Sequence, residues 1–334
     1  MPAETAVASL SDNLLVATIL TYVAAMLAYG VEYAFGARAS RKAAPAKVLA
    51  GVGGGSVEEA PVSPPVGADV TAQPSSPIPS NAGRIAVVVT ILGGALHVAT
   101  LVTRAIAADR VPWGNMYEYA LTVCFVAVVA WLVVLTRQRS VRHLGVFVML
   151  PVVLLLGLAG TVLYTPVVPL VPALNSYWLW IHVSAATIAS GIFMTGFAAS
   201  ALYLIRYYFE KRTLAGKSLS FPLTLGPRLP SAEALERTTF RVIAFAFPIW
   251  TFAIICGAIW AEAAWSRYWG WDPKETWAFI SWVVYAAYLH ARSTTGWKGP
   301  KSAWIAVIGW GTMMMNLFGV NLVISGLHSY AGLQ

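Results

Sequence analysis

Long apolar blocks make up most of this chain, separated by short polar stretches. Eight of the blocks approach the ~20 residues that a helix needs to cross a bilayer. They lie at 13–34, 84–107, 117–136, 144–164, 181–206, 240–262, 275–291 and 302–325. The pattern predicts an all-α fold, a polytopic integral membrane helical bundle of about eight transmembrane helices. The first block does not read as a cleaved leader. Glu4 and Asp12 precede it, it has no basic lead-in, and no small-residue cleavage site follows.

The pattern lapses between the first and second blocks. Residues 37–83 are rich in Ala, Gly, Pro, Ser and Val, and they include the run Gly51-Val-Gly-Gly-Gly55. They contain no aromatic residue and show no period, which predicts a disordered Ala/Gly/Pro-rich linker. The chain thus divides into an N-terminal transmembrane helix at 1–36, a linker at 37–83 and a seven-helix domain at 84–334.

Composition agrees with a membrane protein. Charged residues make up 11% of the chain, against roughly 25% in an average soluble domain. The net charge of +8 raises the question of nucleic acid. The basic residues, however, are spread over short loops, so no nucleic-acid partner is expected. With the N-terminus outside, eighteen Lys and Arg fall on the inner side. Only Arg104, Arg110, Arg267 and Lys274 fall on the outer side. The positive-inside rule then sets both termini, and the loop between the sixth and seventh blocks, outside. Cys124 and Cys256 each stand alone in an apolar block, without the pairing that thiol exchange or zinc requires. Nucleotide-binding, hydrolase and zinc-protease motifs are absent, and no catalytic residue is assigned.

One loop stands apart. Trp265-Ser-Arg-Tyr-Trp-Gly-Trp-Asp-Pro-Lys-Glu-Thr-Trp277 gathers Trp265, Trp269, Trp271, Trp277 and Tyr268 around Asp272, Lys274 and Glu275. That is denser than an interfacial aromatic belt needs. It offers a surface for a large, flat, apolar ligand with polar edges. Asp272, Pro273 and Glu275 also fit the N-cap, N1 and N3 positions of a helix start. The two readings are compatible.

The five histidines separate by depth. His182 opens the fifth block and His328 closes the eighth, both at the outer level of the Trp-rich loop. They read either as two axial ligands of one haem iron or as hydrogen-bonded helix ends. His290 lies 15 residues beyond Glu275, roughly 22 Å along a helix, so it cannot reach the same iron. It is a candidate for an inner site, or an interfacial residue beside Arg292. His97 falls near mid-bilayer, as a second inner ligand, a group lining the route, or a partner for a neighbouring helix. His143 reads as solvated in a basic loop.

Trp269-Gly-Trp-Asp-Pro-Lys-Glu275 resembles the WWD signature of the haem-handling proteins of cytochrome c biogenesis, in its CcsA/ResC-type form (also called CcsB). Pro112, Asn115, Tyr117 and Glu118 resemble a Pro-x-x-Asn-x-Tyr-Glu feature of the same family. Their spacing alone assigns a turn and a helix start, and no chemistry. The resemblance covers residues 84–332. It implies haem transport across the membrane and haem presentation for attachment to apocytochrome c, the system II route of maturation. It implies an outer haem held by His182 and His328 and positioned by Trp265, Trp269, Trp271, Asp272, Lys274 and Trp277. Lys274 and Arg104 are candidates for its propionates. It implies an inner site at His290, completed by His97 or by a partner's histidine. The transported ligand would be haem b. A ResB/Ccs-type membrane partner, an apocytochrome c with Cys-x-x-Cys-His, and thiol reductant proteins are implied as partners. The chain would be a subunit of a cytochrome c haem-lyase (synthase) complex in a bacterial cell membrane. The rival readings are a system I haem-delivery protein, a membrane redox protein with b-type haems, and a transporter of an unrelated substrate.

Overall fold

The computed structural model describes residues 2–42, 81–167, 176–324, 326 and 327. Among these the chain is helical almost throughout and forms no strand. The long helices are α1 (Pro2–Lys42), α2 (Ala82–Ala108), α3 (Met116–Arg137), α4 (Gly145–Thr161), α5 (Tyr177–Leu214), α6 (Ala232–Trp265), α7 (Pro273–Ser293) and α8 (Pro300–Met314). A π-helical turn, Met315–Gly319, joins α8 to the short α9 (Val320–Val323).

Among the described residues six helices, α1 to α6, are long and apolar enough to cross a membrane. The two further expected spans are present as helices of a different kind. α7 has 21 residues, about 31 Å at 1.5 Å per residue, but it carries Lys274, Glu275, His290 and Arg292. The last span is broken by the π turn. α1 runs to Lys42, beyond the expected boundary at 36. The rest of the expected linker, from 43 to 80, lies outside the described residues.

α5 forms the centre of the bundle, packing on α3, α6 and α8, while α7 packs on α6 and α8. Phe193 of α5 and Tyr285 of α7 stack with centroids 3.8 Å apart. On the other side α1 lies along α2 and α4, with Tyr22, Ala25 and Tyr29 fully buried. Polar side chains join these helices from within. Tyr22 Oη meets His97 Nδ1 at 3.3 Å, Thr90 Oγ1 donates to Tyr29 Oη at 3.2 Å, and Ser11 Oγ donates to the Thr100 carbonyl at 3.2 Å. Away from water, such groups need partners on neighbouring helices.

Each end of the bundle has its own polar lock. At one end Glu32 of α1 pairs with Arg142, Tyr33 Oη donates to the Leu225 carbonyl at 3.0 Å, and Arg292 pairs with Glu236. His143 is not simply solvated there, because its Nε2 lies 3.1 Å from the Arg228 carbonyl oxygen and its ring stacks on Tyr33. At the other end Glu118 takes Arg104 at 3.0 Å and Arg110 at 2.6 Å, and Tyr164 Oη donates to Asp12 at 2.8 Å. The basic loops thus gather at one end, and the Trp-rich loop belongs to the opposite one.

Candidate functional site

A cleft opens among α3, α5, α6, α7 and the π turn. It encloses about 1130 Å³ of free space, counting its mouth. The walls are aromatic. Trp113 and Tyr119 line one side, Trp250, Trp260 and Trp265 come from α6, and Tyr268 and Trp269 come from the loop that follows.

His182 stands in this wall. Ser176 caps α5 by accepting the Trp178 amide at 3.3 Å, which starts the helix one turn before His182. The imidazole turns toward α6, where its Nδ1 lies 2.8 Å from the Ala253 carbonyl oxygen. A carbonyl only accepts, so Nδ1 carries a proton, and in the neutral ring the lone pair is then on Nε2. Metal-binding histidines are oriented in this way. The ring also stacks on Trp260 at 5.9 Å. Gly257 makes this approach possible, since a Cβ there would lie 2.7 Å from His182 Cε1.

The start of α7 follows the sequence reading closely. Asp272 caps it, and Glu275 Oε2 accepts the Asp272 amide at 3.1 Å and the Gly270 amide at 2.8 Å. Arg267 pairs with Glu275 at 3.2 Å. Asp272 Oδ1 accepts the Leu327 amide at 2.8 Å. Lys274 Nζ donates at 3.0 Å to the Asn316 carbonyl, which belongs to the π turn. Turns of this type interrupt the regular helical ladder and recur at functional sites.

Of the residues singled out in the sequence, His182, Trp265, Trp269 and Lys274 line the cleft. Trp271 does not. It adopts φ 57°, is 65% exposed and packs its edge on Trp269 and Phe279. Asp272 is committed to capping and to Leu327, and Trp277 lies along α7 outside the lining. His328 lies outside the described residues. Arg104 does not line the cleft and lies fully buried against Glu118 and over the Tyr117 ring. His97 is enclosed by Tyr22 of α1 and Phe125 of α3. His290 is exposed on α7. α2 packs on α1 and α3, and α7 on α6 and α8, so these two histidines belong to different parts of the bundle.

Sequence reasoning missed Trp113, Asn115, Tyr119, Trp250, Trp260 and Asn316 as lining residues. Asn115 carried a signal in its helix-start position. The tryptophans of α6 carried none, because they sit in an otherwise apolar helix. Among the described residues, the buried donors Trp113 Nε1, Asn115 Nδ2 and Trp250 Nε1 at the cleft find no acceptor. An imidazole with a fixed tautomer, aromatic walls and spare donors together suit a flat metal macrocycle with carboxylate edges, and haem fits that description.

The chain matches the family model described as cytochrome c assembly protein over residues 113–328. It is 34% identical over 264 residues to the cytochrome c biogenesis protein CcsA of Cyanophora paradoxa, covering 69% of this chain and 82% of that one. It is 36% identical over 282 residues to CcsA of Gloeobacter violaceus, covering 70% and 82%. It is 41% identical over 174 residues to CcsA of Guillardia theta, covering 50% and 58%.

Proposed function

This chain belongs to the cytochrome c assembly protein family, and from that premise we propose that it carries haem b across the membrane and presents it outside for attachment to apocytochrome c. Its place is in cytochrome c biogenesis by the system II route. The observation that carries the reading is His182, its Nδ1 held by the Ala253 carbonyl and its ring set in the wall of an aromatic cleft. His328 is the second axial ligand. It follows Leu327, whose amide Asp272 holds. The haem supplies two vinyl double bonds, to which the thiols of a Cys-x-x-Cys-His segment add.

The remaining work belongs to the protein. Trp265, Trp269 and Trp260 exclude water from the face of the ligand, and Lys274, held by the Asn316 carbonyl of the π turn, is offered to a propionate. The seven-helix part, 84–334, contains the whole cleft. A ResB/Ccs-type partner completes the complex. Exposed His290 supports this arrangement, since an inner site there takes its second ligand from that partner and not from enclosed His97. The Trp-rich loop and both termini face outside a bacterial cell membrane, as the basic residues at the opposite end favour.

The test is to purify the chain with its membrane partner and record haem spectra. His182→Ala and His328→Ala each lose the outer six-coordinate signal, and added imidazole restores it in part. His290→Ala loses haem at both levels, because supply to the outer cleft is cut. Unchanged spectra and normal maturation in both outer-ligand variants would refute the assignment.

A further inference from the structure

The loops that lead into α3 and α7 follow one plan. The first reads Arg110-Val-Pro-Trp-Gly-Asn-Met-Tyr-Glu118, and the second reads Arg267-Tyr-Trp-Gly-Trp-Asp-Pro-Lys-Glu275. In each, an arginine pairs with a glutamate eight residues later, at 2.6 Å for Arg110–Glu118 and 3.2 Å for Arg267–Glu275. In each, the same glutamate accepts a loop glycine amide, from Gly114 and from Gly270, both at 2.8 Å. In each, the residue three before the glutamate caps the helix, Asn115 in one and Asp272 in the other. Both loops border the cleft. The second carries the aromatic signature. The first has no assigned role.

The two caps differ in what they leave over. An aspartate cap has only acceptors, whereas an asparagine cap keeps two N–H donors. Asn115 Oδ1 accepts the Glu118 amide at 2.8 Å, so the orientation of its side-chain amide is fixed. Its Nδ2 is therefore the spare group. Asn115 is 8% exposed, lines the cleft, and finds no acceptor for Nδ2 among the described residues. Trp113 Nε1, two residues away, is in the same condition. Folded proteins rarely keep buried donors unmatched, and an exception signals a ligand or water that supplies the acceptor. Two such donors two residues apart on one turn suit a carboxylate, which accepts from both.

We propose that the Trp113–Gly114–Asn115 turn is the carboxylate-binding edge of the cleft, with Asn115 Nδ2 and Trp113 Nε1 donating to a propionate of the presented haem. The inference rests on the haem-presentation reading and adds a contact that fixes the ligand in its plane. Haem b carries its carboxylates and its vinyl groups on different edges. A grip on the carboxylates leaves the vinyl groups for the incoming thiols.

The experiment compares haem with haem dimethyl ester, whose carboxylates are blocked, in titrations of the complex with its membrane partner. Asn115→Asp keeps an equally good cap but removes both donors and adds a negative charge. It is expected to weaken haem binding by at least about tenfold, and to change ester binding by less than about threefold. Trp113→Phe keeps the ring and loses the N–H, and it shifts the same preference in the same direction by a smaller factor. Wild-type affinity for haem in Asn115→Asp would overturn the proposal. So would an equal loss of both ligands in a variant that accumulates normally. If Asn115→Asp does not accumulate, Trp113→Phe decides by the same ratio. If the wild-type complex binds neither ligand, the haem-presentation reading falls and takes this inference with it.

Discussion

Asp272 Oδ1 accepts the backbone amide of Leu327 at 2.8 Å, so the residue that caps α7 also holds the chain one position before His328. The aspartate of the aromatic signature is thereby tied to the far end of the sequence. Its side chain does not line the cleft.

Asp272→Ala removes the cap and the tie together. Loss of such a cap costs about 1 kcal/mol, which alone leaves a large bundle folded. The expected result is normal accumulation with impaired cytochrome c maturation, partly restored by imidazole because the histidine ligand is misplaced. Asp272→Asn keeps an acceptor for Leu327 and retains most activity. Maturation in whole cells, with and without imidazole, reads this directly. Equal defects in both variants, unmoved by imidazole, would assign Asp272 to the fold alone.

Gly257→Ala tests the seat of His182. The added Cβ would lie 2.7 Å from His182 Cε1 and 2.8 Å from Nδ1, closer than packed atoms approach. The ring must shift and its bond to the Ala253 carbonyl is lost. The haem spectrum is expected to match that of His182→Ala. Gly311→Ala serves as control, because its Cβ meets nothing within 4 Å. A wild-type spectrum in Gly257→Ala would mean that the ring's seat is not needed for ligation.

The orientation of the bundle is read by labelling single cysteines in intact cells. Ser266, in the Trp-rich loop, and Ser218, between α5 and α6, are both exposed. With both natural cysteines replaced, a membrane-impermeant thiol reagent is expected to label Ser266→Cys and not Ser218→Cys. The reverse pattern would invert the topology and remove the outer assignment of the cleft.

The helices, the aromatic loop and the capping of α7 were legible from the chain, because each is local. Apolar blocks of sufficient length form helices in lipid whatever surrounds them. Asp272, Pro273 and Glu275 specify a helix start within four residues. That His182 shares a level with the Trp-rich loop followed from its place at the start of a block. Those determinants need no partner distant in sequence.

The rotation of each helix was decided only by packing. In a soluble protein the apolar stripe shows which face is buried. In this chain residues facing lipid and residues facing the core are equally apolar, so that signal is lost. Nothing local turned Trp250 and Trp260 into the cleft or left Trp271 outside it. Nor did spacing show that Arg104 would be taken up by Glu118, or that His97 would close against Tyr22 and Phe125, away from His290. The sequence determined which helices form and where the aromatic loop lies. The tertiary structure alone chose which side chains meet across the cleft, because in a membrane that choice rests on shape and hydrogen bonding between helices and not on hydrophobicity.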